Sequence, residues 1–199
     1  MAFTFTNVTK ESSNHTETSR NILVQLNDIT DYPLDATKNP PAPMFVSAKY
    51  RDYAQQVRDF RVYEDDVWIV TFPKSGTTWT EEMVWLINHN LDYKTARDIN
   101  LNVRSTFIEF GAIADRYPIN TINIAANNQR PRQIKSHLLL PLLPRQLWTV
   151  KPQIIYVARN PKDVAVSYYH HCQALVDYRG DREAFFDDLL HDQVTFCPM

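Results

Sequence analysis

The stretch Thr71–Trp79, "TFPKSGTTW", decides how this chain is expected to fold. It follows the strand-like run "VWIV" and precedes the helix-like run "TEEMVWLI". Gly76 allows a sharp turn between the two, because glycine adopts backbone angles that other residues resist. Ser75 and the two threonines after the glycine add hydroxyl groups to the unpaired N–H groups of a first helical turn, and Lys74 adds a positive charge. The corner is therefore predicted to hold a phosphate; the alternative is a helix cap beside a solvated lysine.

The composition limits the classes of protein to consider. A chain of 199 residues allows one sizeable domain, and its net charge of −2 provides no broad basic field for nucleic acid. Its three glycines cannot form a G-x-G-x-x-G dinucleotide loop, a G-x-x-x-x-G-K-[ST] phosphate loop or a G-x-S-x-G nucleophile elbow, and no H-E-x-x-H sequence occurs. Zinc and serine hydrolase functions therefore lose most of their support.

The apolar runs, the N-terminus and the two cysteines predict where the protein is located and the state of its thiols. No apolar run reaches the length of a membrane span, and the polar N-terminus lacks the hydrophobic middle of a signal peptide. We expect a cytoplasmic protein without a membrane or nucleic-acid partner. Cys172 and Cys197 form no metal-type or redox-type pair and are compatible with reduced, buried thiols.

The chain divides into a polar N-terminal extension, residues 1–43, and a domain, residues 44–199. The extension ends in the proline cluster "NPPAP" and is expected to be partly mobile. The run "MFVSAKYRDYAQQVRDF" then predicts an amphipathic helix. After the corner, apolar residues fall on one helical face, which we expect to pack against the core: Trp79, Met83, Leu86 and Ile87. Because Val84 and Trp85 are apolar too, this helix is expected to be covered on two sides.

Two further strands and a helix complete the predicted core. The runs "RQIKSHL" and "PQIIYVAR" predict strands, and the uninterrupted apolar stretch of the second predicts burial on both faces. The helix "RNPKDVAVSYYHHCQAL" begins with Asn160 as N-cap, Pro161 in the first turn and Asp163 three residues after the cap. Strands alternating with helices predict an α/β fold with a parallel sheet flanked by helices, whose ligands bind at the carboxyl ends of the strands.

Two more groups of residues could act at that edge of the sheet. Arg159 and Ser167 could converge on a second phosphate, the arginine binding it through two hydrogen bonds; alternatively, Arg159 pairs with Asp163 and the serine is simply buried. Lys135 and His137 are two apart on a strand and share a face. A histidine can accept a proton near neutral pH and a lysine can stabilise developing negative charge, although a lone histidine on a strand is more often structural.

Taken together, "PKSGTTW", "KSHL" with its "LP" tail and "RNPKDVAVSYYH" closely resemble, in order and separation, the signature regions of the cytosolic sulfotransferases. The resemblance runs from about Met44 to the C-terminus. It implies a P-loop-like sulfotransferase fold and transfer of a sulfuryl group from 3′-phosphoadenosine 5′-phosphosulfate (PAPS) to a hydroxyl or amine of a small hydrophobic acceptor. Such transfer is direct and in line, without a metal or a covalent enzyme intermediate.

The resemblance also implies roles for individual residues. His137 would be the general base, Lys135 would stabilise the sulfuryl group, and Lys74 would neutralise charge on the departing phosphate. Trp79 would stack on adenine, while Arg159 and Ser167 would hold the 3′-phosphate. The donor would be bound by Lys74, Ser75, Gly76, Thr77, Thr78, Trp79, Arg159 and Ser167. The segment "STFIEFGAI" would line the acceptor pocket through Phe107 and Phe110, with Tyr168 nearby, although aromatic residues at such spacing are more often core.

The sequence departs from the family pattern near its C-terminus. Family members are longer, and their later part contains a dimerisation segment and a glycine-rich loop with an Arg-Lys-Gly segment that closes over the 3′-phosphate. Neither occurs here, so the domain is expected to be C-terminally truncated and its oligomeric state is a monomer or undetermined. The alternative function is a catalytically impaired remnant that binds PAPS or its product. A magnesium-dependent kinase ranks lower, because no acidic metal site is evident.

Overall fold

The computed structural model describes residues 2–8, 21–113, 119–176 and 178–199. Its strands are β1 (Phe3–Asn7), β2 (Asn21–Leu26), β3 (Met44–Ser47), β4 (Val67–Thr71), β5 (Thr106–Phe107), β6 (Gln133–Ser136) and β7 (Gln153–Val157). Its helices are α1 (Ala54–Arg58), α2 (Thr77–Asn88), α3 (Tyr93–Asp98), α4 (Leu101–Arg104), α5 (Phe110–Ile113), α6 (Thr121–Asn127), α7 (Leu147–Val150), α8 (Pro161–Leu175) and α9 (Arg182–Leu190), with 3-10 turns at Ala48–Asp52 and Leu140–Leu142.

A four-stranded parallel sheet positions the site. Its strand order is β5-β6-β4-β7, and Val67 of β4 pairs with Gln133 on one side and Gln153 on the other. Every residue of β4 is buried, as the apolar run "VWIV" predicts for a central strand. Helix α2 follows β4 and α8 follows β7, so the carboxyl ends of these strands face two helix N-termini. The predicted α/β fold is confirmed.

The prediction that β7 is buried on both faces is wrong. This strand is the edge of the sheet, and the side chains of Ile154 and Tyr156 are 39% and 70% exposed. The apolar run "QIIYV" correctly indicates a strand, because β-branched and aromatic residues favour that conformation. Hydrophobicity does not by itself supply a covering layer, and within the described ranges nothing buries the outer side of β7.

The chain before Met44 contributes strands that the sequence analysis did not predict. β1, β2 and β3 form a separate antiparallel sheet. Alternate residues of β2, Ile22, Val24 and Leu26, are buried in the main core. The described parts of the predicted extension thus pack onto the domain, while residues 9–20, the middle of that extension, lie outside the described residues. The boundary at residue 43 stays a prediction.

The predicted helix from Met44 begins later than expected. Met44–Ser47 are β3, and all four are buried beside β2. The helical part follows as a 3-10 turn, in which the Ser47 hydroxyl accepts a hydrogen bond from the Lys49 N–H, and then as α1. Cross-strand pairing with β2 overrides the helical spacing at the start of this run, because it buries every side chain of the segment.

Helix α2 is turned the opposite way from the prediction. Trp79, Met83 and Ile87 are 79%, 52% and 70% exposed. The buried face consists of Thr77, Glu81 and Trp85 instead. Two of these residues are polar, and they are buried because they bond to groups on the neighbouring strands. Apolar periodicity identified a helix correctly but selected the wrong face.

Helix α8 begins as predicted. The Asn160 side chain accepts a hydrogen bond of 3.0 Å from the Lys162 N–H, and Pro161 is the first residue of the helix.

Cys172 on α8 and Cys197 near the C-terminus are free and buried, and burial raises the pKa of each thiol to about 12. Across the described ranges, no helix combines the length and apolar character needed to cross a membrane.

Candidate active site

The corner between β4 and α2 has the geometry of an anion cradle. Lys74 and Gly76 both have positive φ angles, 67° and 109°. No side chain caps α2, so its first-turn N–H groups remain open to a ligand. A Cβ at Gly76 would have room, with the nearest atom of Val157 at 4.0 Å, but that φ angle strains any other residue. The corner therefore suits a phosphate, and Ser75, Thr77 and Thr78 lie within it as the sequence predicts.

Thr71 connects this corner to the predicted base. It is 2% exposed, and its Oγ1 lies 2.7 Å from Oγ1 of Thr77 and 3.1 Å from Nδ1 of His137. The Thr71 carbonyl oxygen also lies 2.8 Å from His137 Nδ1. A carbonyl oxygen accepts only, so this contact assigns the imidazole proton to Nδ1 and leaves a lone pair on Nε2. The phosphate corner and a proton acceptor are thus joined by direct hydrogen bonds.

His137 is held neutral at the end of β6. Burial lowers the pKa of its imidazole to about 4, with further lowering by the charges of Lys135 and His171, against the opposing hydrogen bond to Thr71. The ring contacts Phe107 and Phe196 edge to face, with centroid distances of 5.0 and 5.3 Å. A neutral imidazole with a free Nε2 is the form that a general base requires.

Lys135 does not stand alone beside His137. Its Nζ donates a hydrogen bond of 3.2 Å to Oε2 of Glu81 and lies 5.0 Å from the centre of the Phe107 ring. Glu81 is fully buried, and its Oε1 accepts a hydrogen bond of 2.7 Å from Ser105. The lysine is therefore part of a buried ion pair whose exposed end faces the site.

A second buried carboxylate lies behind His137. Oε1 of Glu109 accepts a hydrogen bond from the His137 backbone N–H. Burial raises the pKa of Glu109 to about 7, although hydrogen bonds from His137 and Ser136 oppose the shift. The other carboxylate oxygen is buried and has no hydrogen-bond partner in the described part of the chain, and the same is true of the Tyr50 hydroxyl. Glu109 is thus a titratable group next to the base.

The residues predicted for the nucleotide end are more exposed. Trp79 projects into solvent from the first turn of α2. Arg159 lies beside the corner, where its Nη1 donates to the Lys74 carbonyl at 3.4 Å, and its contact with Asp163 is a loose 3.9 Å. Ser167 is half-buried in the second turn of α8. Within the described ranges no hydrogen bond joins Ser167 to Arg159 or Trp79.

The predicted acceptor residues separate into two environments. The rings of Phe107 and Phe110 contact each other, with their centroids 5.8 Å apart, and Phe107 also contacts His137. Phe110 is 36% exposed. Tyr168 is buried in a second apolar cluster with α9, and its hydroxyl donates to the Thr195 carbonyl at 2.8 Å. The role of Tyr168 at the acceptor stays a prediction. Phe196, which sequence reasoning missed, is a second aromatic ring in edge-to-face contact with His137.

Sequence patterns did not indicate Glu81, Glu109 and Thr71 as site residues, and the reason is the same for all three. Glu81 and Glu109 look like solvated acids in a linear sequence, and Thr71 looks like the end of a strand. Their signal lies in the fold, since each bonds to a residue far along the chain. Over the described ranges, no three or more His, Cys, Asp or Glu side chains cluster closely enough to hold a metal ion.

The comparisons with known proteins agree with this geometry. A family model described as "Sulfotransferase domain" matches residues 64–199. The chain is 37% identical to a luciferin sulfotransferase of Photinus pyralis over 162 residues, covering 74% of this chain and 44% of that protein. It is 39% identical to sulfotransferase 1 family member D1 of Rattus norvegicus over 145 residues, covering 72% and 48%. The chain thus spans about half the length of the curated relatives it matches.

Solved structures support the fold. A retinol dehydratase in complex with retinol and PAP (3′-phosphoadenosine 5′-phosphate) superposes with a TM-score of 0.82 at 20% identity, over 100% of this chain and 64% of that one. The mouse sulfotransferase SULT7A1, also complexed with PAP, gives a TM-score of 0.59 at 26% identity, over 77% of this chain and 51% of the other. These superpositions support the α/β fold of the chain.

Proposed function

The chain belongs to the sulfotransferase family, and on that premise we propose that it transfers a sulfuryl group from PAPS to a hydroxyl or amine of a small hydrophobic acceptor. The observation that carries the proposal is the hydrogen-bonded path from Thr77 through Thr71 to His137. This path supports a link, through Thr71, between the corner expected to bind phosphate and the imidazole expected to accept the proton. The cytoplasmic location predicted from the sequence stays part of this proposal.

The donor would be held by the corner and by Arg159. The open first turn of α2 and the positive φ angles at Lys74 and Gly76 suit a 5′-phosphate, which Ser75, Thr77 and Thr78 would also contact. Arg159 already reaches the corner through the Lys74 carbonyl. It would hold the 3′-phosphate with Ser167, and the exposed ring of Trp79 would stack on the adenine. When bound, PAPS supplies an activated sulfuryl group on a phosphate leaving group.

His137 would remove the proton from the acceptor. Because its Nδ1 is committed to Thr71, Nε2 takes the proton from the acceptor hydroxyl as that oxygen forms its bond to sulfur. The low pKa keeps the imidazole neutral at physiological pH. Negative charge on a bound nucleotide would raise that pKa again and favour proton uptake during transfer.

The two lysines would stabilise charge at different points. Lys74 would neutralise the phosphate as its bond to sulfur breaks, and Lys135 would donate hydrogen bonds to the sulfuryl oxygens. Fixed donors aimed at developing charge lower the barrier more than donors that reorganise during the reaction. Phe107, Phe110 and Phe196 would form the apolar wall that holds the acceptor against His137.

Incubation of the chain with PAPS and a panel of acceptors tests the proposal. The panel would contain phenols, steroids and alcohols, with luciferin and retinol included because the names of similar proteins suggest them. Sulfated product, detected by mass spectrometry, is expected with the wild-type chain. His137→Asn should abolish it. His191→Asn, an exposed histidine at the end of α9, is the matched control and should leave transfer unchanged. Absence of product with every acceptor would contradict the proposal.

A second candidate function is nucleotide binding without transfer. The exposure of Trp79 and Arg159 favours it, because a nucleotide resting on them would remain largely open to water. Calorimetric titration with 3′-phosphoadenosine 5′-phosphate (PAP) separates the two functions. Heat of binding with no product would support this second function, whereas binding together with sulfated product would support the first.

A further inference from the structure

Glu81 is a buried carboxylate for which the proposed reaction has no use. It lies on α2, one turn after the phosphate corner, and its side chain is completely buried. Its Oε1 accepts from the Ser105 hydroxyl at 2.7 Å, and its Oε2 accepts from Lys135 Nζ at 3.2 Å. Its backbone carbonyl accepts from the Gln133 side chain at 2.8 Å. Glu81 therefore joins α2 to β6 and to the residue before β5.

Separating the buried Glu81 carboxylate from its positively charged partner would be energetically costly. Removing one partner of a buried ion pair leaves an uncompensated charge in a medium that solvates it poorly. Lys135 supplies the positive partner, and its ammonium also lies over the face of the Phe107 ring, 5.0 Å from the centroid. The ammonium is thus restrained from two sides while its side chain remains 14% exposed.

The geometry leaves part of the ammonium available. A lysine has three N–H donors, and one of them is directed to Glu81. The remaining donors can reach a group in the open part of the site. Lys74 differs, since its ammonium forms no ion pair with any described residue and its backbone sits in a loop.

We propose that Glu81 is a positioning residue that anchors Lys135, so that the lysine presents a fixed charge to the sulfuryl group. This inference rests on the proposed function and deepens it by dividing the two lysines into an anchored and a mobile one. Glu81 acts through Lys135 and contacts neither donor nor acceptor. Ser105 assists by fixing the other carboxylate oxygen.

Amine labelling tests the anchoring without requiring any transfer. The wild-type chain and its Glu81→Gln variant are treated briefly with an acetylating reagent, and modification of Lys135 and Lys74 is quantified by mass spectrometry of the same digest. Glutamine keeps the size and the bond from Ser105 but removes the charge. Labelling of Lys135 is expected to rise at least fivefold in Glu81→Gln, with Lys74 unchanged. Equal labelling of Lys135 in the two proteins would overturn the proposal.

Glu82→Gln is the matched control for this experiment. It removes the neighbouring acid of the same helix, which is 36% exposed and forms an ion pair of 2.9 Å with Arg104, whose side chain is 5% exposed. This change removes the same charge from the chain without touching Lys135, so labelling should match the wild type within twofold. Increased labelling of Lys135 in this variant too would show a general loosening of α2 and would also overturn the proposal.

Kinetics then test whether the anchoring serves transfer. Glu81→Gln should lower kcat 10- to 100-fold while KM for PAPS changes less than threefold, because the lost interaction matters in the transition state. In a Lys135→Met background the same change should have no further effect on kcat, which a merely structural role of Glu81 would not produce. A normal kcat despite faster labelling would overturn the proposal. A wild-type chain without any transfer would instead contradict the proposed function, while labelling would still decide whether Glu81 anchors Lys135.

Discussion

The two faces of α2 serve the candidate site in opposite ways. The inner face is buried and bonded: Thr77 reaches Thr71, and Glu81 reaches Lys135. The outer face carries large apolar side chains into solvent, with Trp79 and Ile87 more than two thirds exposed. His137 and Lys135 are thus held by buried hydrogen bonds, whereas the predicted nucleotide contacts are exposed. Thr77, Glu81 and Trp85 hold this helix in place, whereas the apolar residues of its outer face do not.

The largest expected effect is on the inner face, at Trp85. This side chain is 6% exposed, stacks on His89 at 4.0 Å and lies under the Arg104 guanidinium at 4.5 Å. Trp85→Ala should lower the free energy of unfolding by about 3–5 kcal/mol. The matched change on the outer face, Ile87→Ala, should alter it by less than about 0.5 kcal/mol. Urea titration followed by circular dichroism measures both, and a large loss for Ile87→Ala would show that the outer face is covered.

The next effect is on the pH dependence of stability, where His137 and Glu109 oppose each other. The pKa of His137 falls from 6.5 to about 4 on folding, so its contribution is lost as pH falls through that range. The pKa of Glu109 rises from 4.5 to about 7, so its contribution is gained as pH falls through nearly the same range. Each shift corresponds to about 3 kcal/mol. Together they should nearly cancel in the wild-type protein.

Single variants should separate the two contributions. Glu109→Gln keeps only the His137 shift and should lose stability as pH falls from about 6.5 to 4. His137→Asn keeps only the Glu109 shift and should gain stability as pH falls from about 7 to 4.5. Urea titrations at a series of pH values provide the measurement. Glu64→Gln, a surface acid, is the control and should follow the wild-type curve. Parallel curves for the two variants would show that neither group is shifted as described.

A smaller effect is expected at Thr71, where the inner face meets the base. Thr71→Val keeps the shape of the side chain and the backbone contact to His137 but leaves the buried Thr77 hydroxyl unpaired. The free energy of unfolding should fall by about 1–3 kcal/mol. Thr80→Val is a suitable control, because its hydroxyl bonds locally to the Gly76 carbonyl on a partly exposed turn. Equal losses of unfolding free energy in the two variants would show that the Thr71 hydroxyl contributes no more to stability than the Thr80 hydroxyl.

The smallest effect on stability should come from the outer face at Trp79. Trp79→Ala is expected to change the free energy of unfolding by less than about 0.5 kcal/mol, since the ring is 79% exposed. It should weaken PAP binding by about 1–3 kcal/mol if the ring stacks on adenine. Met83→Ala, one turn along the same face, should leave PAP affinity unchanged. Equal PAP affinity in wild type and Trp79→Ala, measured by calorimetry, would contradict the stacking.

These comparisons show where sequence reasoning succeeds. The order of strand, glycine corner and helix around Gly76 follows from local preferences, as does the cap of α8 at Asn160, and both appear in the structure. The site residues predicted at strand ends also converge, because parallel strands bring their carboxyl ends to one edge. Thr77 and His137 are 60 residues apart in sequence, yet Thr71 touches both.

The errors have a common physical origin. Which face of α2 is buried depends on partners such as Ser105 and Lys135, and a hydrophobic pattern contains no information about them. The exposure of β7 depends on what lies beyond the sheet edge. Glu109 is buried where its carboxylate accepts a hydrogen bond from the His137 N–H at the end of β6. Each of these features is set by a long-range contact, which a local pattern cannot reveal.

The edge position of β7 has a consequence for how the protein behaves in concentrated solution. An edge strand presents a row of backbone donors and acceptors that a strand of another molecule can join. Here the row is flanked by the exposed side chains of Ile154 and Tyr156, and no charged residue or proline occurs within Gln153–Val157 to discourage pairing. β7 is therefore an edge at which association between molecules is expected, and Tyr156→Lys should improve solubility without disturbing the site.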